Sequence, residues 1–76
     1  MTNLNINEKL GIKICFLRKR LKYSQEKLAE LADLNKNTIG LVERGMISPT
    51  AETLEKIANA LNIELKELVD VSGMDL

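Results

Sequence analysis

Histidine and tryptophan are absent from this 76-residue chain, and cysteine, proline, tyrosine and phenylalanine occur once each. With Cys15 alone no disulfide can close within the chain, and without histidine the commonest zinc ligand is missing. Neither a disulfide framework nor a structural metal is expected. Ser24, Ser48, Ser72 and Cys15 have no imidazole to activate them, the carboxylates are dispersed, and there is no glycine-rich phosphate loop. An enzyme is therefore not expected, and no cofactor or small-molecule ligand is implied. Aromatic and β-branched residues are sparse and no stretch alternates with period two for long, which argues against strands. No apolar run approaches the roughly 20 residues that cross a bilayer. Residues Met1 to Asn7 alternate apolar side chains with asparagine and lack a basic, continuous apolar leader. No signal peptide and no membrane partner are expected, and the protein should be soluble and cytoplasmic.

What is present is helical. A chain this short is one domain, 1–76, near the lower limit of what folds on apolar packing alone. The core is expected over about 8–70, with a flexible arm at 1–6 and a flexible tail at 72–76. Leu10, Ile14, Leu17 and Leu21 form one stripe of a first helix that starts near Asn7 and runs to about Leu21. Ser24 is a good N-cap for a second helix with Leu28, Ala29 and Ala32 inward and Glu26 in its first turn. Asp33 suits the turn after it, since aspartate tolerates the left-handed conformation better than most residues. Leu34 points back to the core, Asn35 caps a third helix with Ile39 and Val42 inward, and Gly45 ends it. Pro49 and Thr50 open a fourth helix that buries Leu54, Ile57, Ala58 and Leu61, and Asn62 terminates it. Glu64–Val71 adds a fifth, with Leu65, Leu68 and Val69 inward. The fold class is all-α: five short helices around one small core.

Lysine and arginine exactly balance aspartate and glutamate over the whole chain, eleven of each, but not along it. Residues 1–45 hold nine basic against five acidic residues, a net of +4, and residues 46–76 hold two against six, a net of −4. A polyanion responds to the face it meets rather than to the total. The basic half also contains the tightest pair of helices, Ser24 to Gly45, joined by a connection of a few residues. Two such helices crossing steeply form a helix-turn-helix, whose second member can lie in the major groove of DNA with its leading side chains against base edges.

The elements Leu10-Gly11 with Ile14, Leu17-Arg18, Ser24-Gln25 with Leu28-Ala29, Thr38-Ile39, Glu43-Arg44-Gly45 and Pro49 keep one order along the chain. With Leu54, Ile57-Ala58, Leu61, Ile63 and Leu68 they resemble the lambda-repressor-like family of helix-turn-helix domains, the Cro/repressor or Xre type. That resemblance covers roughly residues 8–70. It implies a compact five-helix domain with the helix-turn-helix at helices two and three. It further implies sequence-specific binding of a (pseudo)palindromic operator in double-stranded DNA by a homodimer that regulates transcription, at the nucleoid when bound.

Carried over position by position, the resemblance assigns phosphate contacts to Gln25, at the start of helix two, and to Arg44, while Thr38 is a phosphate contact or a helix-start residue rather than a base reader. Base contacts fall to Lys36 and Asn37. Lysine donates to guanine O6 and N7, and asparagine bonds adenine in a bidentate manner. Leu41 either meets a thymine methyl or packs at the core edge. Arg44 either clamps the DNA backbone or is a solvated cation at a helix end. Arg18 and Glu43 are assigned to an ion pair between helices one and three, which removes Arg18 from the DNA contacts. Gly40 departs from the family pattern, which more often has serine or another polar residue there. Its glycine admits either close approach of helix and groove or simple tolerance of a small residue. Asp33 is a second departure, placing negative charge near the DNA-facing side. A protein-interaction module or antitoxin on the same fold is the alternative function. Val69, Val71, Met74 and Leu76 would serve such a partner or, in the preferred reading, the homodimer seam.

Overall fold

The computed structural model describes residues 4–74, and its order is α1 (Ile6–Arg20), α2 (Gln25–Ala32), α3 (Lys36–Glu43), α4 (Ala51–Ala60) and α5 (Leu65–Val69). Among the described residues there is no strand. Each of the first four helices has a side-chain cap. Ser24 accepts from the Lys27 amide at 2.9 Å, Asn35 from the Asn37 amide at 2.7 Å, and Thr50 from the Thr53 amide at 3.1 Å. Helix α1 begins earlier than its apolar stripe suggests. The Asn5 side chain accepts from the Glu8 amide at 2.8 Å and the Glu8 carboxylate accepts from the Asn5 amide at 3.0 Å, a reciprocal capping box. Ile6 is therefore already helical. Of the arm expected over 1–6, Asn5 caps α1 and Ile6 belongs to it, and residues 1–3 lie outside the described residues, as do 75–76 of the expected tail.

The four connections share one termination. Lys22 (φ 63°), Asp33 (φ 56°), Gly45 (φ 69°) and Asn62 (φ 60°) are left-handed. The next residue in each case donates its amide back five positions: Tyr23 to Arg18, Leu34 to Ala29, Met46 to Leu41 and Ile63 to Ala58, at 2.8–3.1 Å. This is the Schellman arrangement, which satisfies carbonyls that the helix end leaves open. It also turns Leu34 and Ile63 back onto the core. Lysine at position 22 carries no compositional mark of a left-handed residue, and its conformation changes one expectation. By stopping α1 at Arg20 it leaves Leu21 42% exposed, so the inner stripe is Leu10, Ile14 and Leu17 alone. Helix α5 is likewise shorter than expected. It ends at Val69, where Asp70 turns extended, so Leu68 is buried, Leu65 half-buried and Val69 exposed rather than inward.

Ile14, Leu28, Ile39, Val42, Ile57 and Leu68 are fully buried at the centre. Helix α3 packs on α1 and α2, α4 on α2 and α5, and α5 returns to α1. The α1–α3 contact needs Gly11. A Cβ there would lie against the Val42 carbonyl oxygen and 2.5 Å from that of Glu43, far inside van der Waals contact. Lys13 ties α5 to α1 by donating from Nζ to the carbonyl of Glu67 and, at 2.6 Å, to that of Asp70. A cation on the last carbonyls of a helix is favourable by charge as well as by hydrogen bonding.

Candidate nucleic-acid interface

Helices α2 and α3 are fixed to each other by the Asp33 turn and to α1 by one carboxylate. Arg18 donates from Nε to Glu43 Oε2 at 2.6 Å and from a terminal nitrogen to Oε1 at 3.0 Å. Its other terminal nitrogen donates to the Tyr23 carbonyl at 2.7 Å, and Gln25 Nε2 donates to Glu43 Oε1 at 3.0 Å. The ion pair expected between Arg18 and Glu43 is thus in place, with Arg18 8% exposed. Burial alone would raise the Glu43 carboxyl; hydrogen bonds from Arg18 and Gln25, with the guanidinium charge, outweigh it and hold the group below its ordinary value. The same hydrogen bond to Glu43 raises Arg18, against the opposing effect of burial.

With α3 anchored from behind, its first turn is left outward. Asn35 is committed to its cap, and Lys36 and Asn37 are exposed. Neither side chain bonds another described residue. Gln25, Lys36, Asn37, Gly40, Leu41 and Arg44 line one open cleft of about 300 Å³. Five of the six residues assigned to DNA contact therefore share one surface. Thr38, half-buried, does not line it. Leu41 is half-buried and reaches the cleft.

Gln25 is more constrained than its assignment implies. A carboxylate only accepts, so the bond to Glu43 fixes the amide with nitrogen inward and Oε1 toward the cleft. One N–H remains for an outside acceptor. Arg44 lies folded back along α3, its guanidinium nitrogens 3.4 and 3.8 Å from where a Gly40 Cβ would sit. Interior glycine lowers helix stability by about 1 kcal/mol relative to alanine.

The basic residues of the N-terminal half sort unevenly. Lys13 is engaged with the end of α5 and Arg18 with Glu43, so the charge asymmetry overstates the cations available to DNA. Lys27 pairs with Glu30 at 3.4 Å on an exposed face, and Arg20 stacks 5.7 Å from the Phe16 ring centroid. Lys36 and Arg44 are the cations that line the cleft. Lys13 carried no sequence signal, because its acceptors are more than fifty residues away. Asn5 did carry one, since Asn-x-x-Glu is a capping-box pattern. Among the described residues no group of three His, Cys, Asp or Glu is placed to hold a metal ion, and no helix is long and apolar enough to cross a membrane.

A helix-turn-helix family model matches residues 16–68, spanning α2, α3 and the ion pair behind them. The chain belongs to this helix-turn-helix family of DNA-binding regulators. Within it, the chain is 39% identical over 71 residues to the control protein C.BamHI of Bacillus amyloliquefaciens, covering 92% of this chain and 86% of that protein. It is 37% identical over 60 residues to the immunity repressor protein of Bacillus phage phi105, covering 79% of this chain but only 42% of the repressor. Among solved structures it is similar to SinR, a master regulator for biofilm formation, in complex with DNA. The TM-score is 0.76 at 32% identity, covering 80% of this chain and 98% of that one.

Proposed function

We propose that the protein is a sequence-specific DNA-binding transcriptional regulator that acts as a homodimer on a (pseudo)palindromic operator. The observation that carries this reading is the outward first turn of α3, where Lys36 and Asn37 stand exposed above a cleft shared with Gln25, Leu41 and Arg44. Backbone contacts from Gln25, Thr38 and Arg44 set register on the duplex, and Lys36, Asn37 and Leu41 discriminate bases. Nothing need rearrange, because the Asn35 cap and the Glu43 anchor hold α3 in place before DNA arrives. No enzymatic step is assigned to it, since the sequence offers no histidine to activate a serine or cysteine nucleophile.

One α3 spans only a few base pairs, whereas two related by a two-fold axis read half-sites about one turn, ~34 Å, apart. Exposed Val69 and half-buried Met74 support the seam preferred from the sequence, and exposed Ile12 and Phe16 extend that apolar surface along α1. Leu76 lies outside the described residues. The acidic second half would then face away from the phosphates. A cytoplasmic location, at the nucleoid when bound, follows from this role. Regulators of the repressor and controller kind, which the relatives' names describe, fit it; a toxin-binding role has no observation in its favour.

The test is the salt dependence of DNA affinity. Each neutralised phosphate contributes about 0.9 to the slope of log K against log salt, so a dimer touching several gives a steep line. A flat line would favour the protein-interaction alternative.

A further inference from the structure

Two glycines in this chain lie in helices that face one another, and they differ in what demands them. At Gly11 an added Cβ would strike backbone of α3. At Gly40 it would meet only the ends of two flexible side chains, Arg44 at 3.4 Å and Gln25 Oε1 at 3.7 Å, which is ordinary contact. Gly40 does not have a left-handed φ, and the atoms nearest to that point all belong to the side chains of Arg44 and Gln25. Neither a left-handed backbone nor a backbone clash requires glycine there, although the residue is buried and glycine is the poorest helix former after proline.

The side chains nearest to it line the outward cleft instead. Gly40 lies between Gln25 and Arg44 in the lining, with Lys36 and Asn37 one turn earlier on α3. Gly40 is buried, the Arg44 guanidinium lies against it, and that guanidinium makes no hydrogen bond or ion pair with any described residue. Its donors form a planar fork, a geometry that matches the paired oxygens of a phosphodiester. A side chain at position 40 would take the place against which the fork lies.

We propose that Gly40 is a positioning residue for DNA binding: its missing side chain leaves the seat in which the Arg44 guanidinium lies against α3, and the guanidinium held there clamps one backbone phosphate with its outward face. This rests on the DNA-binding reading above and adds to it the reason for an otherwise unfavourable residue. The seat serves affinity and register and is indifferent to base sequence.

Gly40→Gln tests it, because glutamine restores a good helix former and fills the seat. The variant is expected to unfold at the same temperature as the natural chain or higher, yet to bind both a preferred site and random duplex about tenfold more weakly. Its log K against log salt slope should fall by about 0.9 per subunit. Arg44→Ala should give the same loss, and the double variant little more than either single one. A folded Gly40→Gln with natural affinity and slope would overturn the proposal, as would a loss confined to the preferred site, which would make position 40 a base-facing one. Should Gly40→Gln not fold, Gly40→Ala decides the matter. Its methyl group is expected to weaken binding by about two- to threefold with no drop in unfolding temperature, and unaltered affinity would overturn the proposal. If the natural chain shows no salt-dependent duplex binding at all, the functional reading itself fails; if it binds and only the variants disappoint, the seat alone is lost.

Discussion

Arg18 meets Glu43 at two points, 2.6 Å from Nε to Oε2 and 3.0 Å from a terminal nitrogen to Oε1, and this bridge joins the first helix to the one that faces DNA. Both side chains are nearly covered, at 10% and 5% exposure. Truncating one partner of such a pair leaves the other charged and uncompensated. Glu43→Ala is expected to destabilise the fold by about 3–5 kcal/mol in chemical denaturation. A change below about 1 kcal/mol would show the bridge to be loosely solvated.

The same pair sets an acid dependence. Glu43 has a lowered pKa in the folded state, so its contribution is present at pH values above the unfolded carboxyl pKa and is lost as pH falls through the folded one. Arg18 is raised, so its contribution would be lost only at alkaline extremes. Stability should therefore fall from about pH 4.5 downward in the natural chain. In Glu43→Gln, unfolding measured over the same range should show a shallower decline. Parallel curves for the two proteins would contradict the assignment.

Gly11 brings α1 onto the end of α3 so closely that a methyl group has nowhere to go. The obstructing atoms are backbone carbonyl oxygens of Val42 and Glu43, which cannot rotate aside. Gly11→Ala should lose at least about 1–3 kcal/mol despite the gain in helix propensity. A thermal unfolding midpoint equal to or above that of the natural chain would show that the two helices can separate without cost.

Lys13 holds the end of α5 through the carbonyls of Glu67 and Asp70 and is not directed at DNA. Lys13→Met should speed amide exchange in residues 67–72, by the loss of about 1.5–3 kcal/mol of local protection. The slope of DNA affinity against salt should not change. A shallower slope with unchanged exchange would return Lys13 to the phosphate contacts.

Much of this was legible from the residues. Helix starts at Ser24, Asn35 and Thr50 and left-handed ends at Asp33, Gly45 and Asn62 depend on local chemistry, which a sequence displays directly. The Arg18–Glu43 pair was reachable through family resemblance and the side-by-side placement of Arg18 with the α1 stripe. What escaped was long-range or adventitious to composition. Lys22 in the left-handed region has no compositional mark, and it removed Leu21 from the core. The α1–α5 link of Lys13 exists only once the chain has folded. The inward tether of Gln25 to Glu43 modifies a surface assignment for the same reason: pattern reading assigns a side chain to a face, while the hydrogen bond decides which of its atoms remain available.

Asn37 is exposed on the first turn of α3 and its side chain bonds no other described residue, so its removal should leave the fold intact. Asn37→Ala is expected to cost about 1–3 kcal/mol on the preferred site and little on random duplex. Titrations on both DNAs separate the outcomes, since equal losses would move Asn37 from base reading to backbone contact.

Selection of bound sequences from a random duplex pool by the natural chain puts the central claim to the most direct test. Enrichment of two related half-sites in inverted orientation is expected, their centres about one helical turn (~34 Å) apart. Recovery of an unenriched pool, under salt conditions where the protein is folded, would contradict it.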